Sequence, residues 1–570
     1  MDSQNITQQL PETANQDEVT EEEVDGSSEE GFQSPDLPPA STMRILKGLT
    51  PFWHDRLIEV ALVVSLALYY IVGNANLGPG RIFHLNPLFS LPFLVFFAVL
   101  CWHRLPFAIA LIPLSLPYYL QQKTVINHYS FSITEIALLT CTLVALTQFL
   151  IRRRRWRYYL SWRELLERIG PFALPVTVFV LAAGVSVIVA FSHLVALRAF
   201  REEVLEPLLY LFLAMFCLRT RKDVVRLLLA MLISGFVVAL LGISQYVFFR
   251  NQLVLESDGI RRVHAMYGSA NNIGLFFDYV LPIGLAFILI RVWTAESLRR
   301  SKWWLLAVGA ICLAMVFVLY LSQSRGAWVA IGIAGIFIIG LSLRNRKQWL
   351  ISGLVSIVVL SAALLLFHRS IYNIFIAGHQ DIYGISTLTK RLFLWLSALH
   401  MIRDHIWFGV GLDNWLCYYS QNTVCVDPAL LQHHYWILQS PFTGASTGLG
   451  DEPTLSHPHN ILLHVWVSIG IFGLLAFLSV LVLFFWLFVR ILSTLHSERV
   501  ERNKSLWWMT AGVGAAMLAG VIQGQVDSSF LAQDLSFCFW MLVSALLLLR
   551  VFSGTPWRRS LPLKQSSQIG

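Results

Sequence analysis

Runs of apolar residues about twenty positions long, separated by short polar segments, recur from residue 57 to residue 550. A bilayer core about 30 Å thick takes about 20 apolar residues per helix, so each run predicts a membrane-spanning helix. Spans are expected near 57–73, 87–102, 104–120, 133–151, 171–191, 204–218 and 226–249. Seven more are expected near 272–291, 303–322, 327–343, 349–367, 459–490, 506–523 and 530–550. The second, third and sixth of these fourteen are short enough to be re-entrant or interfacial, so the expected range is 12–14. The fold class that follows is an all-α polytopic integral membrane protein.

The polar connections sort by charge. IRRRRWRYYLSWRELLER (151–168) holds seven arginines, and 219–226, 291–302, 343–348, 490–504 and the C-terminus are likewise basic. The alternate connections, 121–130, 322–328, 525–534 and the long stretch 369–457, are poorer in Lys and Arg. Cytoplasmic loops collect basic residues, so both termini are expected in the cytoplasm and 369–457 outside it. A loop of that length is usually functional or disordered. TLTKRLFLWLSALHMIRDH (387–405) has helical periodicity, with Leu392, Trp395, Leu396, Leu399 and Ile402 on one expected face and Thr387 or Thr389 as cap. Outside the cytoplasm a disulfide between Cys417 and Cys425 is permitted, the alternative being two unpaired thiols.

Composition adds the tail. Hydrophobic residues make up 56% of the chain and charged residues 13%, against roughly 25% charged in soluble domains. Residues 1–42 carry 11 Asp or Glu and no Lys or Arg, with few aromatics. That stretch buries too little apolar surface to offset its ordering entropy and reads as disordered. It has neither the basic start nor the apolar core of a signal peptide. Without it, 42 basic and 23 acidic residues leave +19, the positive-inside excess of a polytopic chain and no sign of nucleic-acid binding. The expected organisation is an acidic cytoplasmic tail (1–42), an N-terminal transmembrane bundle (43–368), a large extracytoplasmic loop with an amphipathic helix (369–457), C-terminal transmembrane helices (458–552) and a cytoplasmic tail (553–570). The bilayer is a partner by construction.

Where outer loops are poor in cations, the arginines that remain need a reason. They are Arg198 and Arg201 in ALRAFREEVLEP, Arg261 and Arg262, Arg325 in SQSRGAW, Arg369, Arg391 and Arg403. Arg325 sits in a turn of about four residues between two apolar runs, where a charge is costly and serves a pathway, a partner or an anionic ligand. It reads either as an interfacial arginine reaching for water or as a guanidinium fork for phosphate. HPHNILLHVWVSIGIFG (457–473) places histidines at the mouth of a span. Pro458 suits the first helical position, which puts His459 and Asn460 in the first turn. The field there favours an anion and disfavours an imidazolium, so a histidine is held neutral, the state a general base needs; the plainer reading is an interfacial or capping residue. The His-Pro-His spacing lacks the i, i+4 arrangement of helical zinc sites, so no metal is expected. Trp395, Trp415, Tyr418, Tyr419 and Trp436 suit either sugar stacking or interfacial anchoring.

These pieces together resemble the O-antigen ligase and polymerase superfamily. His459-Asn460, nine residues, Gly470, two residues and Gly473 match the ligases' His-Asn…Gly…Gly pattern after a large outer loop. SQSRGAW is similar to the family's Ser-Arg-Gly turn, and KRLFLWLSALHMIRDHIWFGVGLDNW to its Arg…Trp…Gly-Val-Gly segment. ALRAFREEVLEP and GSANNIGLFFDYVLP resemble earlier family segments more loosely. The resemblance implies a GT-C-type membrane glycosyltransferase without cofactor, inverting and metal-independent, acting at the outer face of the cytoplasmic (inner) membrane on an undecaprenyl-diphosphate-linked glycan. By residue, it implies that Arg325 and Arg391 bind the diphosphate and that His459 orients or deprotonates the acceptor hydroxyl of a glycan or lipid. Arg198, Arg201, Asn460 and Trp395 are expected as secondary substrate contacts. A repeat-unit polymerase is the alternative within the superfamily, and a lipid-linked sugar transporter is the alternative outside it. Transporters tend to show paired halves and broken mid-membrane helices, and the charged residues here cluster at the rim instead.

Overall fold

The structure, a computed structural model, describes residues 51–77, 80–126, 129–151, 162–255, 261–293, 298–343, 387–419, 457–497 and 504–557. By its contacts the chain divides into residues 1–54 and a body from Asp55 to Gly570, to which the account below refers. The expected acidic tail, the expected span 349–367, Trp436 and Cys425 lie outside the described residues.

Helices dominate. In chain order they are α1 (Pro51–Ile71), α2 (Leu91–Leu111), α3 (Ile133–Ile151), α4 (Trp162–Ile169), α5 (Ala173–Val189) and α6 (His193–Ala199). A π-helical turn over Phe200–Leu205 leads into α7 (Glu206–Cys217), followed by α8 (Arg221–Phe248), α9 (Ala270–Trp293), α10 (Leu298–Ser322) and α11 (Arg325–Ser342). The long loop contributes α12 (Thr387–Asp404) and α13 (Trp415–Tyr419), and the chain closes with α14 (Ile461–Ser497), α15 (Lys504–Gln523) and α16 (Gln533–Phe552). Two short antiparallel hairpins, β1 (Lys123–Ile126) with β2 (Tyr129–Phe131) and β3 (Val254–Leu255) with β4 (Arg261–Arg262), decorate it. Among the described residues, ten helical stretches are long and apolar enough to cross a membrane. The chain is an all-α polytopic membrane protein.

The first of the ten, residues 87–118, is counted as one stretch but folds back on itself. Arg104 has φ −140° and ψ 54°, and Pro106 follows; proline offers no N–H to a helix and disfavours helical geometry in the residue before it. Arg104 lies 3.7 Å from Asp55 at one end of the bundle. At the other end Lys123 donates to Ser90 Oγ (2.8 Å) and to the Val72 carbonyl (2.7 Å). Two short limbs therefore stand where 87–102 and 104–120 are expected. The expected span 204–218 is the twelve-residue α7.

The bundle has a basic end. Arg226 pairs there with Glu59 (2.6 Å) and Asp223 (3.0 Å), Arg168 donates to the Met215 carbonyl, and Arg550 donates to the Glu167 carbonyl. At the opposite end stand the turn between α10 and α11, the start of α14 and the connection from α15 to α16. Cys101, Cys141, Cys217, Cys312 and Cys538 are free and buried among the helices, where a thiol packs as a small hydrophobe.

The feature that shapes the opposite end is a break in α14. Gly470 has φ 80° and ψ −175°, a conformation reserved for glycine. A break in an apolar setting frees backbone groups that water cannot serve. The segment after α12 serves them: Val410 N–H donates to the Val467 carbonyl (2.7 Å), Gly411 N–H to the Ser468 carbonyl (3.2 Å), and Ile471 N–H to the Ile406 carbonyl (3.0 Å). Gly409 and Gly470 each sit where a Cβ would run into the other segment's backbone. The Gly-Val-Gly motif and the glycine of the His-Asn…Gly pattern are thus two halves of one main-chain pairing.

The face of α12 differs from expectation. Phe393, Leu394, Ala398, Met401 and Ile402 are buried, whereas Leu392 and Leu399 are exposed. The helix is apolar on both sides, so its periodicity alone does not select the face that meets α14.

Candidate active site

Pro458 is not the first helical residue. Asn460 caps α14 instead: its side-chain oxygen accepts from the Leu462 and Leu463 N–H groups, both at 3.0 Å, satisfying two donors that a helix start leaves open. Its amide nitrogen donates to the Gln525 carbonyl (3.0 Å), and Ile461 N–H donates to the Gly524 carbonyl (2.6 Å). The expected substrate contact Asn460 therefore fastens α14 to the connection between α15 and α16. His459, just before the cap, has φ 51°, a left-handed conformation uncommon outside glycine. Trp395 of α12 donates its indole N–H to the His459 carbonyl (3.3 Å), fixing that backbone rather than presenting its ring alone.

The result is an oriented imidazole. His459 Nδ1 lies 2.6 Å from Asp527 Oδ1, and Asp527 also accepts from the Ser528 N–H (2.9 Å). A carboxylate on Nδ1 holds the hydrogen there and leaves Nε2 as the basic nitrogen. Asp527 is buried. The charges of His459, His457 and Arg391, with the His459 hydrogen bond, overcome its burial and hold its carboxyl well below the usual carboxylate range. The charge of Arg391, on α12, acts on Asp527 and on His457. The His457 ring meets His459 edge-on at 4.5 Å. Burial first, then the charges of His459, His464 and Arg391, push its pKa well below that of free histidine. His464 lies 5.4 Å from His457 and 2.5 Å from Ser528 Oγ.

Arg325 opens α11 after Ser324. Its neighbour Gly326 abuts Gln523 and Val526, so the Arg325 turn packs on the connection that carries Asp527. Arg262 buttresses that turn, donating to the Ser322 carbonyl (2.7 Å) and to Asn271 (2.6 Å). His459, Arg391, Trp395, Asn460 and the Arg325 turn thus share one end of the bundle. Arg198 and Arg201 stand apart from the imidazole, held by carboxylates: Arg201 by Glu135 (2.9 Å), Glu202 (2.6 Å) and Glu206 (3.3 Å), and Arg198 by Glu202 (3.0 Å). Trp415 is buried and stacked on Tyr419 at 5.0 Å. Cys417 is disulfide-bonded; Cys425 lies outside the described residues.

His457 and His464, but not His459, line a cavity of about 370 Å³, whose walls also include Ser528, Glu203, Asp413 and Asp534. Its lining carries both imidazoles and carboxyl groups. Asp413 admits solvent yet is walled by protein, and this enclosure, with the charge of Glu202, lifts its pKa to about 6 against the opposing Arg198. A raised carboxyl pKa contributes stability below the unfolded value, about 4, and that contribution is lost as pH rises through about 6. Asp413→Asn is therefore expected to melt higher than the parent at pH 8 and equally near pH 4; a difference of the same size at both would contradict this account. Asparagine also tolerates the left-handed φ of 52° at this position.

Asp527 carries no strong signal in the sequence, whereas His457 and His464 lie in the stretch that the pattern singles out. Asp527 is one acid in a short connection, 68 positions from His459, and only the packing of α14 on that connection joins them. His457, His459 and Asp527 also hold their donor atoms within 4.8 Å of one another, side chains of the types that bind transition metals. The short His459–Asp527 contact is the pattern of a hydrogen-bonded base.

No curated protein matches the chain. Residues 310–478 match the family model described as O-antigen ligase, a segment that takes in the Arg325 turn, α12 and the broken start of α14. Over that segment, which is less than a third of the chain, the protein is similar to the O-antigen ligase family.

Proposed function

We propose that the protein transfers a polysaccharide from undecaprenyl diphosphate to an acceptor hydroxyl at the outer face of the cytoplasmic membrane, with inversion and without a metal. The observation that carries this is the His459 Nδ1–Asp527 Oδ1 contact of 2.6 Å, with the charge of Arg391 acting on Asp527. The acceptor oxygen attacks the anomeric carbon, and its proton passes to His459 Nε2. The bond from that carbon to the diphosphate breaks, and the electron pair leaves on undecaprenyl diphosphate. Arg391 and Arg325 stabilise the charge that develops on the leaving oxygen, the largest single term in many such steps. The excess of arginine at the opposite end of the bundle supports an outward orientation for this one.

The test is transfer in vitro, with purified protein, a polyprenyl-diphosphate-linked glycan and a separate acceptor. Product is expected with the acceptor and in the presence of a chelator. Arg391→Ala and Arg325→Ala are expected to lose about 10²-fold, the scale of one removed electrostatic donor. Full activity in both variants refutes the assignment, and elongation without any acceptor makes the enzyme a polymerase.

A further inference from the structure

Beyond the histidine cavity lies a second one of about 450 Å³, walled by Asn76, Gln121, Gln122, Ser130, Arg198 and Gln533. Leu120 and Gln533 line both cavities, so the two adjoin. The second is built from the loop after α1, the approach to β1 and the start of α16, all outside the segment that matches the family. Its walls are carboxamides. Gln533 donates to Glu202 (2.8 Å) and Asn76 donates to the Gln122 carbonyl (2.6 Å), which fixes both and leaves their amide oxygens as acceptors. The side-chain amides of Gln121 and Gln122 have no protein hydrogen bond among the described residues. Arg198, the cation of this pocket, is paired with Glu202 at 3.0 Å.

The first cavity supplies an independent sign of a ligand. Asp534 is 6% exposed and lines that cavity, and its Oδ2 makes no close hydrogen bond, the Tyr267 hydroxyl being its neighbour on the protein side. A buried carboxylate oxygen left unpaired costs free energy, and a hydroxyl or ammonium hydrogen of a bound molecule removes that cost. Asp413 and Glu203 also line that cavity, and no arginine is among its described lining residues, which disfavours the diphosphate there. Carboxamides donate and accept in one plane and match adjacent sugar hydroxyls, while giving no charge to a uronate or a sulfate.

We propose that the two cavities form one cleft for the glycan, in which uncharged pyranose residues lie on the carboxamides beyond Gln533 and the residue next to the reaction donates a hydroxyl or an amine to Asp534. This rests on the transfer reading in taking the cavity walled by His457, whose ring meets that of His459 at 4.5 Å, as adjoining the reaction centre. It specifies the glycan as neutral or amine-bearing, with polyanionic chains disfavoured.

The experiment is saturation-transfer NMR on the full chain in lipid nanodiscs with three probes: chitotetraose, its deacetylated glucosamine tetramer, and tetragalacturonate. The first two are expected to give sugar-proton signals and the third none. Gln121→Ala and Gln533→Ala are expected to reduce the chitotetraose signal about fivefold, the order of one lost hydrogen bond. Ser130→Trp, which fills the second cavity from its rim, is expected to abolish it, and Asp534→Asn to weaken the glucosamine tetramer more than chitotetraose. Binding of tetragalacturonate as strong as that of chitotetraose, or undiminished binding by Ser130→Trp, overturns the proposal. His459→Ala is expected to keep these signals while losing transfer. Signals in a wild-type protein that transfers nothing would uphold the cleft and sink only the transfer reading.

Discussion

His459→Ala loses glycan transfer by about 10²- to 10⁴-fold, the contribution of a positioned general base, and leaves the amount of protein in the membrane unchanged. The residue is partly buried, and its imidazole makes one strong protein contact, to Asp527. Its removal takes away the base without opening the helix start, because Asn460 supplies the cap and the Trp395 bond goes to the backbone carbonyl of residue 459. Asp527→Asn tests the same unit from the other side. The amide keeps the shape but does not enforce hydrogen on Nδ1, so about tenfold to hundredfold is expected, and His459→Ala with Asp527→Asn together should cost little more than His459→Ala alone. Groups that act as one unit are far from additive. Effects that multiply in the double variant, or full transfer by His459→Ala, would remove the imidazole from the mechanism.

Gly470→Ala collapses the protein. The backbone at 470 lies in a region closed to residues with a Cβ, which costs about 1–3 kcal/mol. The added carbon also meets the Trp407 carbonyl, main chain held by the Ile471–Ile406 bond and unable to swing aside. Together these exceed about 3 kcal/mol, a large part of the 5–15 kcal/mol that usually separates folded from unfolded protein. A strong fall in melting temperature and in membrane-inserted yield is expected, and Gly409→Ala, with φ 70° and a Cβ aimed at the Val467 carbonyl, should behave alike. Gly332, in α11, has open space around its Cβ position. Its change to alanine should be neutral or mildly stabilising, since alanine is the better helix former. An unaltered melting temperature in Gly470→Ala would mean that the break in α14 does not hold the structure.

The spans were legible because bilayer thickness sets a length that apolar runs of about twenty residues report directly. Even the two short limbs before residue 120 could be read, since Arg104 and Pro106 interrupt the run. The face of α12 could not: a helix with apolar residues all round has no single direction in its pattern, and packing against α14 decided it. The sequence marked Gly470 only as part of a motif, whereas the structure uses the glycine for a positive φ and a main-chain approach. Of the site, the His-Asn start and the Arg325 turn stood out because polar groups are rare at span ends. The remaining wall did not. Asp527, Asp413 and Glu203 are ordinary acids in ordinary connections until the bundle folds them toward one space.

The pairing of 406–411 with 467–471 closes the neck of the long loop like a drawstring. The sequence between the two paired segments is tied at both ends, and lengthening it costs little, because closure entropy grows only as the logarithm of loop length. Extra sequence there leaves the His459 imidazole in register, because Asp527, Trp395 and the Asn460 cap hold it independently of the length of the loop.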